Sequence, residues 1–207
     1  MSSKSFSKIS KHCYSYLGYK NINETRDIDE IIDKCLEEIE QISQFRYTFV
    51  EFENRFDFLN KDEYIRLLKD CDSYYFVLTT LGKRIDDRTR YYSKIDITKS
   101  LIFDACASAY LEYMADEYEK DNLKSPHTFR FCPGYGKTET KDIREIFKYI
   151  KAESLGVRLL DSNLMVPMKT MCGIIGVGKE SKKDCGKCVV SEKCDFKKRG
   201  TTCYEKN

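Results

Sequence analysis

The chain has 207 residues, a length that suits one full globular domain and is short for two. Its composition, 41% hydrophobic and 34% charged with only 3 Pro and 10 Gly, excludes a disordered chain, a collagen-like repeat and a Pro-rich linker. The formal net charge of +2 gives no general electrostatic reason to bind nucleic acid or an anionic membrane. A partner must therefore be recognised by local features.

The sequence predicts a cytoplasmic protein. No apolar run approaches the roughly 20 residues that a membrane span needs. The Ser- and Lys-rich residues 1–11 lack the apolar stretch of a signal peptide. In a reducing cytosol the 10 cysteines are expected to be buried thiols, metal ligands or redox groups, and not a disulfide framework.

The first half of the chain shows one helix and two strands clearly. Apolar residues recur at steps of three and four over residues 27–42, which predicts an amphipathic helix with a solvated acidic face. Residues 45–52 and 73–81 are rich in aromatic and β-branched side chains and predict strands. Between the strands, Asp62 is placed to cap a short helix over residues 63–69.

Two helices are predicted next. A polar helix follows Gly82, and residues 95–120, which contain no Pro or Gly, predict one long helix. Because residues three or four apart share a face of a helix, Asp104, Ser108 and Glu112 form a polar stripe beside small side chains. A carboxylate on such a face indicates close approach of another group, although an ordinary exposed Glu fits the pattern equally well.

The elements after residue 138 are shorter. Apolar residues at helical spacing over 143–150 predict an amphipathic helix with Thr138 or Thr140 as its cap. Residues 157–160 and 169–177 predict two strands separated by a proline turn.

Together these elements predict an α+β fold. We expect a single domain in which a twisted, mainly antiparallel sheet packs with long helices, because no internal repeat divides the chain. The domain is predicted to span residues 1–178. Residues 179–207 form a basic tail rich in Cys.

The most informative motif is R-F-C-P-G-Y-G-K-T at residues 130–138. Its last residues imitate a phosphate-binding loop, whose backbone N–H groups would hold phosphates. However, Phe131 stands where that motif needs its first glycine, and Pro133 has no N–H to donate. Nucleoside triphosphate binding is therefore disfavoured.

A different interpretation rests on the Pro-Gly pair of the motif. Pro133 and Gly134 predict a fixed turn whose backbone a ligand can approach closely. Arg130 could hold a ligand carboxylate through two N–H groups, and Tyr135 could supply an aromatic wall or a hydroxyl. A surface Pro-Gly turn beside an ordinary Arg fits the same residues.

This motif also resembles a known family. Arg130 to Tyr135 matches the R-x-x-P-G-Y signature of the activation domain of cobalamin-dependent methionine synthase. Further segments resemble the free-standing bacterial form of that domain and follow in the same order. They are residues 16–20, 77–82, 104–112 and 161–170.

The resemblance implies a domain that binds S-adenosylmethionine (AdoMet) and docks over the cobalamin of a methionine synthase. There, an electron and the methyl group of AdoMet convert inactive Co(II) to methylcobalamin. The implied partners are a cobalamin-binding methionine synthase subunit, which carries the cobalamin, and a single-electron donor protein. Neither nucleic acid nor a membrane is implied. Such a chain positions the methyl sulfonium and is not expected to be a catalyst alone.

Site residues are implied position by position. Arg130 would pair with the AdoMet carboxylate, and Cys132 and Gly134 would offer backbone contacts. Tyr135 would line the pocket. Glu112 would meet the ammonium or hydroxyl groups of the ligand, which gives the polar helix stripe a purpose.

The tail brings four thiols close together, at Cys185, Cys188, Cys194 and Cys203. Thiolates at such spacing suit tetrahedral zinc or an iron–sulfur cluster. Three interpretations stay open here. An iron–sulfur cluster would deliver the single electron that activation needs, zinc would be structural because it has no redox chemistry, and the thiols could also be metal-free.

The tail also supports alternative functions. The chain could be a metal-binding or iron–sulfur electron-transfer module that acts through these cysteines. Because residues 179–207 carry nine Lys and Arg against five Asp and Glu, a basic zinc module that binds nucleic acid is another candidate. It lacks interleaved aromatic residues beyond Phe196 and Tyr204, and it explains nothing earlier in the chain. No catalytic residue is predicted, since neither of the two His lies in a recognisable motif.

Overall fold

A computed structural model describes residues 3–19, 26–180, 195–198 and 200 of the chain. Along the chain, helices that pack with one another alternate with segments that build the sheet. Short 3₁₀ helices occur at Asp57–Leu59 and Ala152–Leu155. The helices are α1 (Ser3–Leu17), α2 (Arg26–Ile42), α3 (Asp62–Leu67), α4 (Lys83–Ile95), α5 (Ile97–Asn122), α6 (Asp142–Phe147) and α7 (Asp195–Lys198). The strands are β1 (Arg46–Phe52), β2 (Ser73–Thr80), β3 (Arg158–Leu159), β4 (Met165–Val166) and β5 (Thr170–Val177).

Among the described residues, the main sheet has three antiparallel strands with β2 at its centre. All eight residues of β2 are buried, as its unbroken run of Tyr, Phe, Val and Leu predicts. The register places Val77 of β2 between Phe49 of β1 and Gly173 of β5. Strands β3 and β4 pair with each other in a separate two-stranded sheet.

The segment before the Pro-Gly turn covers the outer edge of β5. His127 forms an antiparallel bridge with Val177, and Phe131 forms another with Ile174. The N–H groups of Phe131 and Ile174 each donate to the other residue's carbonyl at 2.9 Å. In an antiparallel pair, residue numbers increase along one segment in the direction in which they decrease along the other. The residues after Phe131 are therefore directed toward the start of β5, where Lys169 lies.

The two faces of the sheet pack against different elements because side chains alternate along a strand. On one face, Phe76, Leu78 and Ile174 join a core with α3, α6 and both 3₁₀ helices. On the other face, Val77 and Ile175 pack against Leu123, just beyond the end of α5. A separate helical core lies between α1, α2, α4 and α5.

Most predicted elements are found within a few residues of their expected bounds, and the predicted α+β single domain is confirmed. Two details are wrong. Asp62 is the first residue of α3 and not its cap; Lys61 precedes the helix without a side-chain capping bond. Neither Thr138 nor Thr140 caps α6, which follows Lys141.

Among the described helices, none combines the length and apolar character that a membrane span requires.

Three thiols meet inside the helical core. Cys13 of α1, Cys35 of α2 and Cys106 of α5 are each 0% exposed. A hydrogen bond with Cys106, together with burial, raises the pKa of Cys35. A hydrogen bond with Cys13 is the main cause that raises the pKa of Cys106. Cys35 and Cys106 are therefore protonated, and all three buried thiols are shielded from reagents.

We expect these three core thiols to resist alkylation in the native protein. Reaction with iodoacetamide requires local opening of the helical core, so each should react about 100-fold more slowly than half-buried Cys132. Peptide mapping by mass spectrometry gives the rate at each cysteine, and unfolding in guanidinium should remove the difference. Equal rates for Cys35 and Cys132 in native protein would contradict the expectation.

Candidate functional site

One face of α5 carries five polar side chains, here called the α5 row. Asp104, Ser108, Glu112 and Asp116 follow one another at steps of four, and Glu119 comes three residues later. The stripe predicted from the sequence forms the first part of this row. Its members contact two cations from other parts of the chain, Lys169 and Arg130.

Arg130 reaches the row from the segment beside β5. Its side chain is 2% exposed, and its Nη2 lies 2.7 Å from Glu112 Oε2 and 3.1 Å from Asp116 Oδ1. Its Nη1 donates to Glu119 Oε1. The same Glu119 oxygen accepts a hydrogen bond of 2.8 Å from the Tyr47 hydroxyl. The buried guanidinium is thus paired with carboxylates of its own chain.

Burial and charge oppose each other in this cluster. Burial raises the pKa of Glu119, and the attraction of Arg130 only partly offsets it. Burial lowers the pKa of Arg130, but attraction to Glu119, Glu112 and Asp116 raises it by more, so the guanidinium stays charged. Three carboxylates carry more negative charge than one guanidinium neutralises. The exposed part of the α5 row therefore favours a positively charged ligand.

Gly173 makes room for Arg130. A Cβ built at this strand residue would lie 2.7 Å from Arg130 Cγ and 3.2 Å from the Phe131 carbonyl oxygen. Both distances are shorter than ordinary contacts of a Cβ. The glycine therefore allows the arginine stem to cross the strand on its way to α5.

Lys169 binds the other end of the α5 row. Its Nζ lies 2.8 Å from Asp104 Oδ1 and donates to Ser108 Oγ at 2.9 Å. The preceding residue, Met168, donates its N–H to Asp86 Oδ2 at 2.8 Å. Sequence analysis did not single out Lys169 as a site residue, because only the fold brings the start of β5 beside α5.

The Pro-Gly turn (residues 133–137) is held by hydrogen bonds with the hydroxyl of Thr138, the residue that follows it. Gly134 has φ +104, a conformation that favours glycine. Its N–H donates to Thr138 Oγ1 at 3.0 Å, and that hydroxyl donates to the Tyr135 carbonyl at 2.6 Å. The Tyr135 side chain is 56% exposed. The turn thus presents backbone and an aromatic ring to solvent.

The structure places the predicted site residues in two groups. Glu112 and Arg130 are in direct contact, and Cys132, Gly134 and Tyr135 follow Arg130 along the turn region. The pairing of the Arg130 guanidinium within the chain was not predicted. The sequence feature that could have indicated this pairing is the set of carboxylates at positions 112, 116 and 119 of one helix.

The predicted metal site stays a prediction. Its ligands lie outside the described residues. Within the part of the chain that the structure describes, no group of His, Cys, Asp and Glu is arranged to hold a metal ion. The four predicted ligands are Cys185, Cys188, Cys194 and Cys203.

Comparison with known proteins gives a structural match and no sequence match. No protein-family model matches the sequence, and no curated protein sequence does. A solved structure that is similar is the crystal structure of the MetH reactivation domain bound to AdoHcy, with a TM-score of 0.58 and 16% identity. The match covers 87% of this chain and 74% of that chain. The chain therefore has the fold of the MetH reactivation domain.

Proposed function

We propose that this protein binds AdoMet and reactivates a cobalamin-dependent methionine synthase by supporting reductive methylation of cob(II)alamin on a partner subunit. One observation carries the proposal. In a chain with this fold, buried Arg130 meets the α5 row beside a fixed Pro-Gly turn. The structural relative binds AdoHcy, the compound that remains when AdoMet gives up its methyl group.

The charges of AdoMet match this arrangement. AdoMet carries a carboxylate, an ammonium and a sulfonium, so it is a cation overall. Arg130 Nη2 is shared by Glu112 and Asp116, whose side chains are 31% and 50% exposed, whereas Nη1 is held by buried Glu119. A ligand carboxylate that displaces Asp116 would meet a guanidinium already fixed in place. Glu112 would then accept from the ligand ammonium.

The remaining predicted residues would orient the ligand. Cys132 and Gly134 would offer backbone groups along the turn, and the exposed ring of Tyr135 would cover the ligand from one side. The partner's cobalamin supplies the reducible cobalt, and a donor protein supplies the electron. The task of this chain is to hold the methyl sulfonium in one orientation and to exclude water.

We expect Glu112→Gln to weaken AdoMet binding about tenfold, because it removes a charge-assisted hydrogen bond to the ligand ammonium. Isothermal titration calorimetry under anaerobic conditions measures the affinity. A matched control is Asp121→Asn, an exposed position nine residues further along α5 and on its opposite side. Equal affinity of both variants and wild type, or no binding by wild type, would contradict the proposal.

A further inference from the structure

Glu63 is a buried carboxylate beneath the Pro-Gly turn. The residue is 3% exposed, and its Oε1 accepts a hydrogen bond of 2.8 Å from the Lys137 N–H. Its Oε2 is also buried, and among the described residues it has no hydrogen-bond partner. The carboxylate therefore fixes one leg of the turn with one oxygen and keeps the other unused.

A second buried carboxylate in this region is engaged quite differently. Asp142 is also 3% exposed, but Lys61 Nζ donates to its two oxygens at 2.7 and 2.6 Å. The Tyr64 hydroxyl donates to it at 3.0 Å. Lys61, two residues before Glu63, is thus paired with Asp142, and also with Glu139 at 3.4 Å. The chain satisfies one buried carboxylate fully and leaves its neighbour half satisfied.

Folding alone does not account for a carboxylate at position 63. A buried charge with a single neutral donor recovers only part of its lost hydration. A glutamine would accept the same Lys137 N–H without burying a charge. The spare oxygen of Glu63 is therefore a cost to the folded state that another interaction can offset, and half-satisfied buried groups of this kind occur at functional sites.

We propose that Glu63 is a ligand-binding residue of the same site: Oε1 fixes the turn, and Oε2 accepts a hydrogen bond from an N–H or O–H group of AdoMet bound against the turn. This inference rests on the proposed function. It adds a contact from α3, on the opposite side of the sheet from the α5 row. The two sides of the sheet would then both hold the ligand.

The variant Glu63→Gln distinguishes the role of Oε1 in the turn from the role of Oε2 in ligand binding. Hydrogen exchange of the peptide that contains Lys137 should match wild type, because Gln keeps the acceptor, whereas Glu63→Ala should exchange faster. AdoMet affinity of Glu63→Gln should fall about tenfold, since a hydrogen bond to a charged acceptor is lost. The control is Glu153→Gln, the same change at an exposed position near β1, on the other edge of the sheet.

The outcomes distinguish the two proposals. Wild-type affinity in Glu63→Gln, with the turn still protected, would overturn the assignment of Oε2 and leave the proposed function standing. Weaker binding by Glu63→Gln with unchanged exchange supports the assignment. No binding of AdoMet by wild type would overturn the proposed function and this inference with it.

Discussion

Arg130→Ala is expected to destabilise the protein by about 3–5 kcal/mol, the usual effect of removing one partner of a buried ion pair. The substitution leaves Glu119, which is 5% exposed, with the Tyr47 hydroxyl but without its guanidinium. Denaturation by urea at neutral pH measures the free energy of unfolding. AdoMet binding should be lost in the same variant, because the proposed carboxylate anchor is gone.

The effect of Arg130→Ala should depend on pH. Arg130 lowers the pKa of Glu119 against the larger effect of burial, so its removal raises that pKa further above the ordinary 4.5. A raised pKa in the folded state gives stability at low pH that is lost as the pH rises through it. The variant should therefore be closest to wild type below about pH 4.5 and fall behind toward neutrality.

A double variant provides the control for this effect. Arg130→Met with Glu119→Gln removes both charges and should recover part of the lost stability, because no buried charge remains unpaired. A loss below about 1 kcal/mol for Arg130→Ala at neutral pH would show that the ion pair behaves like a surface pair. That result would contradict its burial in the structure.

Gly173→Ala is expected to cost about 1–3 kcal/mol, as overpacking of a filled site usually does. The new methyl group would collide with Arg130 Cγ, and the guanidinium cannot retreat without leaving Glu119. Thermal or chemical denaturation gives the loss. AdoMet affinity should fall as well, because the arginine must shift along the α5 row.

The same methyl group should be harmless once Arg130 is shortened. In the Arg130→Ala background the colliding Cγ is absent, so Gly173→Ala should change the free energy of unfolding by less than about 0.5 kcal/mol. This double-mutant cycle isolates the contact between the two residues. An equal loss in both backgrounds would place the strain elsewhere, at the Phe131 carbonyl.

The elements that the sequence predicted well are those decided by local pattern. The apolar spacing of α2 and the unbroken apolar run of β2 fix element type without knowledge of the fold. Helix α1 was missed because its Ser- and Lys-rich sequence gives a weak signal. Its buried residues Ile9 and Cys13 are stabilised by packing against α2 and α5, which no local pattern reveals.

For the site, the sequence predicted residues but not their partners. The α5 stripe and the R-x-x-P-G-Y turn were both visible as motifs. The contacts of Arg130 with α5, of Lys169 with Asp104 and of Glu63 with Lys137 join residues far apart in sequence. Such contacts depend on how the sheet brings segments together, and a single sequence does not contain that information locally.

Helix α5 is 26 residues long, so it spans about 39 Å and holds Lys169 and Arg130 at separate points along one face. Inserting or deleting a single residue between Asp104 and Glu112 would rotate everything beyond it by about 100°. The carboxylates that hold Arg130 would then turn away while Asp104 stayed in place. Proteins that share this site should therefore differ in length in their loops and keep the spacing of these positions constant.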